Sequence, residues 1–120
     1  MNTAEILNKK ECESSLKNVL DALYVLNGRW KLPVVLSIVQ KPKRFNEIQT
    51  EVGGISPKVL ANELRNLEQN EFIKRNVYAT TPVTIIYEAT EYSLTLKNVL
   101  QELDVWGKQH RDRIKQTMRS

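Results

Sequence analysis

Gly53-Gly54-Ile55-Ser56-Pro57-Lys58-Val59-Leu60-Ala61-Asn62-Glu63-Leu64-Arg65-Asn66-Leu67-Glu68-Gln69 is the stretch that decides the fold. Paired glycines suit a tight turn because they tolerate a left-handed backbone. Ser56 suits a helix N-cap, where its hydroxyl accepts an orphan backbone N–H. Pro57 suits the first helical position, where its missing N–H does no harm. The spacing predicts a helix over residues 56–69, held down by Leu60, Leu64 and Leu67. Lys58, Asn62, Arg65 and Gln69 recur on the opposite face, and Ala61 beside them is small enough to permit close approach. A helix that enters the major groove needs this division, with one face fixed to its own protein and the other offering polar groups to base edges.

The flanks extend the pattern into a fold. Phe45, Ile48 and Val52 mark a short helix before the glycine turn, so residues 44–69 read as a helix-turn-helix. Residues 72–78 and 83–88 are rich in β-formers and are separated by a turn over residues 79–82, which predicts a hairpin wing over residues 72–88. Upstream, Leu16, Val19, Leu20, Leu23 and Leu26 place a helix over residues 14–26, stopped by Asn27-Gly28. An apolar helix comes next over residues 30–39, with Pro33 in its first turn. Downstream, Thr90 is placed to cap a long helix over residues 90–118, with Leu96, Val99, Leu100, Leu103, Trp106 and Ile114 on its apolar face. Residues 1–13 are expected to be flexible. The expected fold is mainly α with a small β-hairpin wing, a single winged helix-turn-helix domain over residues 1–120.

Composition excludes several function classes. The chain has 120 residues, 41% of them hydrophobic and 27% charged, as in ordinary globular domains. It has no apolar run of membrane-spanning length and no signal-peptide pattern, so a cytoplasmic location is expected and no membrane partner. One cysteine, Cys12, excludes an internal disulfide and gives too little for a cysteine metal site. With one histidine, His110, no Gly-rich phosphate loop and no nucleophile–base pair, no catalytic residue, metal or cofactor is expected, and an enzyme is disfavoured. Residues 1–107 hold 13 Lys and Arg against 13 Asp and Glu, so the net charge of +4 belongs to the C-terminal tail. Bulk charge is therefore weak support for nucleic acid.

The candidate DNA contacts are Lys43, Arg44, Ser56, Pro57, Lys58, Asn62, Arg65, Arg75, Thr80 and Thr81. Asn can pair bidentately with adenine and Arg with guanine. Lys58, in the first turn, sits where free N–H groups also favour a phosphate. Lys43 and Arg44 cluster with Lys41 where the third helix begins. Arg75 and the hairpin tip Thr80-Thr81 form the wing's polar edge. The candidate dimer seam is Leu16, Val19, Leu20 and Leu23 from the first helix with Leu96, Val99, Leu103 and Trp106 from the last. A chain this small cannot bury both stripes in one core, and pairing across a two-fold axis would cover them. The main alternative is a winged helix that contacts protein rather than DNA. It requires an apolar or acidic outer face on residues 56–69, whereas that face is Lys, Asn, Arg and Gln. RNA binding ranks below duplex binding, because only Tyr78 and Tyr87 in the hairpin are available to stack bases.

A run of ordered motifs then resembles the HxlR family of winged-helix regulators, relatives of the MarR group. They are Gly28-Arg29-Trp30-Lys31-Leu32, Pro42-Lys43-Arg44-Phe45-Asn46-Glu47-Ile48, Gly54-Ile55-Ser56-Pro57-Lys58-Val59-Leu60 and Glu63-Leu64-Arg65-Asn66-Leu67-Glu68. Val77-Tyr78, Pro82-Val83, Thr90-Glu91-Tyr92 and Trp106-Gly107 complete the run, so the match covers roughly residues 16–111. The resemblance implies a bacterial transcription regulator, working as a homodimer on a pseudo-palindromic operator, with a small-molecule or redox effector of unknown identity. It sets the family's Tyr-Ser-Leu-Thr segment against Tyr87-Glu88-Ala89-Thr90, as a departure. It also implies a sensing cysteine upstream of Gly28. Cys12 is the candidate redox sensor, but it stands further upstream than the pattern, and Glu11 and Glu13 oppose thiolate formation.

Overall fold

The computed structural model describes residues 9–119. In chain order these form α1 (Lys9–Val25), α2 (Lys31–Gln40), α3 (Phe45–Val52), α4 (Pro57–Gln69), β1 (Ile73–Tyr78), β2 (Thr84–Ala89), a 3₁₀ helix (Tyr92–Leu96) and α5 (Lys97–Arg119). This is a winged helix, mainly helical with an antiparallel hairpin. Its strands pair in the register Ile73 to Ala89 and Tyr78 to Thr84. Lys43 adds a bridge to Tyr87 on the outer side of β2, through Lys43 N to Tyr87 O at 3.0 Å and Tyr87 N to Lys43 O at 2.8 Å.

The core is drawn from the middle of the chain. Val34, Val35 and Ile38 of α2 meet Ile48 of α3, Leu60, Leu64 and Leu67 of α4, and Ile55, Phe72, Ile73 and Tyr87. Each full burial of a Leu or Ile stabilises by roughly 1.5–3 kcal/mol. The outer helices differ, for neither α1 nor α5 buries a single residue. The radius of gyration of 18.1 Å reflects these projecting helices; a compact chain of this length would have roughly 14 Å.

Two boundaries depart from the sequence reading. The first helix is already formed at Lys9, five residues before the expected start. Residues 1–8 lie outside the described residues. The last helix is broken at its start. Thr90 Oγ1 accepts from Ser93 N at 3.2 Å, but the chain winds into the 3₁₀ turn with Glu91 at its N-cap, closed by Ser93 N to Thr90 O at 3.1 Å and Leu94 N to Glu91 O at 3.0 Å. Tyr92 stacks on Phe72 at 5.3 Å between ring centroids, and the tighter winding holds it there. The family's Tyr-Ser-Leu-Thr segment stands intact in this turn, at Tyr92-Ser93-Leu94-Thr95, rather than at Tyr87–Thr90.

The end of α4 uses a left-handed cap without glycine. Glu71 sits at φ 65°, with Glu71 N bonded to Glu68 O at 3.0 Å and Phe72 N to Leu67 O at 2.9 Å. These two bonds make a Schellman motif. The motif turns the chain into β1 and so sets the wing against α4. Thr90 Oγ1 clamps the same corner by donating to Glu71 O at 2.6 Å.

Candidate nucleic-acid interface

The interface is built around α4. Its start is as expected, with Ser56 Oγ accepting from Val59 N at 3.2 Å and Pro57 in the first turn. Leu60, Leu64 and Leu67 are buried, which fixes the rotation of the helix about its axis. Lys58, Asn62, Arg65 and Gln69 consequently lie outward, and all four are exposed. Arg65 Nη1 donates to Asn62 Oδ1 at 3.2 Å, linking two successive turns of that outer row.

The turn before α4 is held by packing as well as by backbone preference. Gly53 and Gly54 take φ of 73° and 72°, where any side chain is strained. A Cβ on Gly54 would stand 3.9 Å from the Trp30 ring. Trp30 is half-buried against the core and carries the Arg29 guanidinium 4.6 Å from its ring centroid. Trp30 thus packs against the core beside the glycine turn. Gln49 Nε2 ties α3 to the same turn through Ile55 O at 3.2 Å.

Of the ten candidate contacts, Arg44, Ser56, Pro57, Lys58, Asn62, Arg65, Arg75, Thr80 and Thr81 are exposed. Arg44 caps α3, its N–H donating to Glu47 Oε1 at 2.8 Å, which leaves the guanidinium outside. At the hairpin tip, Thr80 Oγ1 donates to Pro82 O at 2.7 Å and lies 2.8 Å from Thr84 Oγ1. Those bonds shape the turn and engage a hydroxyl that the sequence reading left available for phosphate.

Lys43 is a correction. It is 4% exposed, and its ammonium pairs with Glu51 Oε2 at 2.7 Å while donating to the Ser37 carbonyl oxygen. Ser37 Oγ stands 3.4 Å away. An ammonium so enclosed is not available to a phosphate. Lys43 instead joins the end of α2, the end of α3 and, through its backbone, the wing. Sequence reasoning missed Ser37 and Glu51 as its partners. The only available signal was an acid eight residues after a lysine, and that spacing has no meaning until the α3 turn is built.

Both expected seam stripes are open. Leu16, Val19, Leu20 and Leu23 on α1 are exposed, as are Val99, Leu103 and Trp106 on α5, while Leu96 is partly buried against the core. Leu20 is 56% exposed and Trp106 60%, and it is their grouping in stripes rather than the single values that marks an interaction surface. Between α2 and α5 lies an apolar groove of about 640 Å³, lined by Leu32, Leu36, Leu100 and Leu103 among others. Cys12 is exposed on the first half of α1. No helix among the described residues is long and apolar enough to cross a membrane. Nor do they contain a group of three or more His, Cys, Asp or Glu placed to hold a metal ion.

This architecture matches known proteins. The family model of the HxlR-like helix-turn-helix matches residues 25–115. The HTH-type transcriptional regulator YodB of Bacillus subtilis is 41% identical over 88 residues, covering 73% of this chain and 79% of YodB. The reduced form of YodB superposes with a TM-score of 0.69 at 39% identity, over 77% of this chain and 90% of that one. The redox regulator HypR in its reduced form gives a TM-score of 0.77 at 30% identity, over 82% and 98% of the two chains. With a family model matching most of its length and a 41% identical relative, the chain belongs to the HxlR-like helix-turn-helix family of transcriptional regulators.

Proposed function

We propose that this regulator binds double-stranded DNA sequence-specifically, as a homodimer on a pseudo-palindromic operator. The observation that carries the reading is the outward row Lys58, Asn62 and Arg65 on a helix whose rotation is fixed by three buried leucines. Amide, ammonium and guanidinium groups on one exposed helical face suit base edges and phosphates, whereas a protein-contact helix is expected to show an apolar or acidic face. The family supports the same reading, because its members are transcriptional regulators.

Dimerisation follows from the bare outer helices. The α1 and α5 stripes together expose seven large apolar side chains of the proposed seam. A second copy covers them by the same residues on both sides, as a two-fold axis requires. The axis also sets two recognition helices about one duplex turn apart, near 34–36 Å. An effector that shifts the seam changes that spacing and with it the affinity. Cys12 lies on α1 close to the seam in sequence. Cys12→Ser is nevertheless expected to retain DNA binding and any response to oxidants.

The test is fluorescence anisotropy of labelled duplex against rising salt. The expected result is an affinity that falls steeply and linearly on logarithmic axes. Arg65→Ala is expected to weaken operator binding and relax preference at one base pair. An affinity for duplex that is absent at low salt would favour the protein-contact reading instead.

A further inference from the structure

We infer that Lys43 is a positioning residue for the wing: its buried ammonium fixes, through Tyr87, where Arg75 is held relative to α4. The inference rests on the duplex reading above. It goes beyond that reading by giving a side chain that touches no DNA a part in recognition.

The two strands of the wing hang from different parts of the lobe. β1 follows α4 through the Glu71 corner and packs against that helix. β2 packs against α2 and α3. The tilt of the hairpin against α4 therefore depends on where β2 is held. A two-stranded hairpin is marginal by itself, so the lobe must hold it.

Lys43 holds it from the outer edge. Its backbone exchanges two hydrogen bonds with Tyr87, at 3.0 and 2.8 Å, and Tyr87 is the residue that pairs with Arg75 of β1. Lys43, Tyr87 and Arg75 thus form one row across three extended segments. At the usual strand spacing the row sets Arg75 about 10 Å from Lys43. Among the described residues no other bridge of this kind joins the hairpin to the lobe.

The side chain anchors the row. The ammonium donates to the carbonyl of Ser37, one of the last four residues of α2, whose carbonyls lack intrahelical partners. That end of α2 is also the negative pole of its dipole and favours a cation. Glu51 Oε2, in the last turn of α3, stands 2.7 Å away. One side chain thereby fixes residue 43 to two helix ends. A buried ion pair adds little net stability over an apolar filling of the same volume. Its directional bonds add a defined position, and an apolar side chain would have no such partner at either helix end.

The experiment is a double-mutant cycle, read by anisotropy on a labelled duplex that wild type has selected from a randomised library. Lys43→Met with Glu51→Gln removes the tie. It takes away one charge of each sign, so the net charge is unchanged. Arg75→Ala reports the wing. In wild type, Arg75→Ala is expected to weaken binding about fivefold and to lower the salt slope by about one. Removing the tie is expected to have about the same effect, although it removes no contact with DNA. In the untied protein, Arg75→Ala is then expected to cost less than about twofold. A role in folding alone would leave the salt slope and the cost of Arg75→Ala unchanged. Melting temperatures above the assay temperature show each variant folded. If the untied protein melts lower, Glu51→Gln alone takes its place, because it loosens the tie from its exposed end. Additive losses, an unchanged affinity on removing the tie, or an Arg75→Ala without effect in wild type each overturn the inference and leave the duplex reading standing. A wild type that recovers no duplex from the library overturns both.

Discussion

The helix-turn-helix lobe and the two terminal helices are both rich in large apolar residues, with opposite fates. The lobe buries eleven hydrophobic side chains in one cluster. The terminal helices α1 and α5 bury none. Amphipathic spacing is present in both, so spacing alone does not say where an apolar face is covered. The difference lies in what surrounds each helix. α4 has α2 on one side and β1 on the other, whereas α5 makes its main contact with the 3₁₀ turn that precedes it. One half of the molecule is finished within the chain, and the other, in the proposed assembly, is finished by a second copy.

The largest expected effect strikes the finished half. Glu51→Leu leaves the Lys43 ammonium buried without its counter-charge and is expected to cost about 3–5 kcal/mol in denaturant unfolding. Lys43→Met is expected to cost less, about 1–3 kcal/mol, because Glu51 is 41% exposed and water can solvate the carboxylate left behind. Equal costs would mean that the pair is not the asymmetric tie its burial suggests. Leu64→Ala belongs in the same range, about 2–5 kcal/mol, through the cavity it opens between α2 and α4.

Leu103→Glu tests the unfinished half. It is expected to leave the lobe folded, remove the dependence of melting temperature on protein concentration, and weaken operator binding at least tenfold. A melting temperature that still rises with concentration would place the seam elsewhere.

Glu71→Gly is a smaller change of opposite sign. A non-glycine residue at φ 65° costs about 1 kcal/mol, so glycine in that cap is expected to stabilise by about 0.5–1 kcal/mol. Calorimetry reads it as a rise in melting temperature. Lys108→Ala removes an exposed pair with Asp112 at 3.0 Å and is expected to change stability by less than about 0.5 kcal/mol.

The sequence was most legible where short-range chemistry decides the outcome. Ser56-Pro57 marks a helix start by capping alone, and three leucines at helical spacing set its rotation. The hairpin strands fall within one residue of their expected ends. Long-range pairing hid the rest. Lys43 sits among Lys41, Pro42 and Arg44 and reads as part of a solvated basic loop, until Tyr87 bonds its backbone and Glu51 meets its ammonium. Glu71 carries no glycine signal, so the left-handed cap was invisible. The 3₁₀ turn depends on Phe72, twenty residues before Tyr92, and periodicity has no access to such a contact. The exposure of the α4 row was accordingly legible, and the burial of Lys43 at the base of the wing was not.

Sedimentation of the free protein and of its complex with a selected operator tests the central claim most directly. Two copies of a 13.9 kDa chain are expected free in solution, and the same two on one duplex. A free species of single-chain mass, or a saturated duplex that carries one chain, would contradict it.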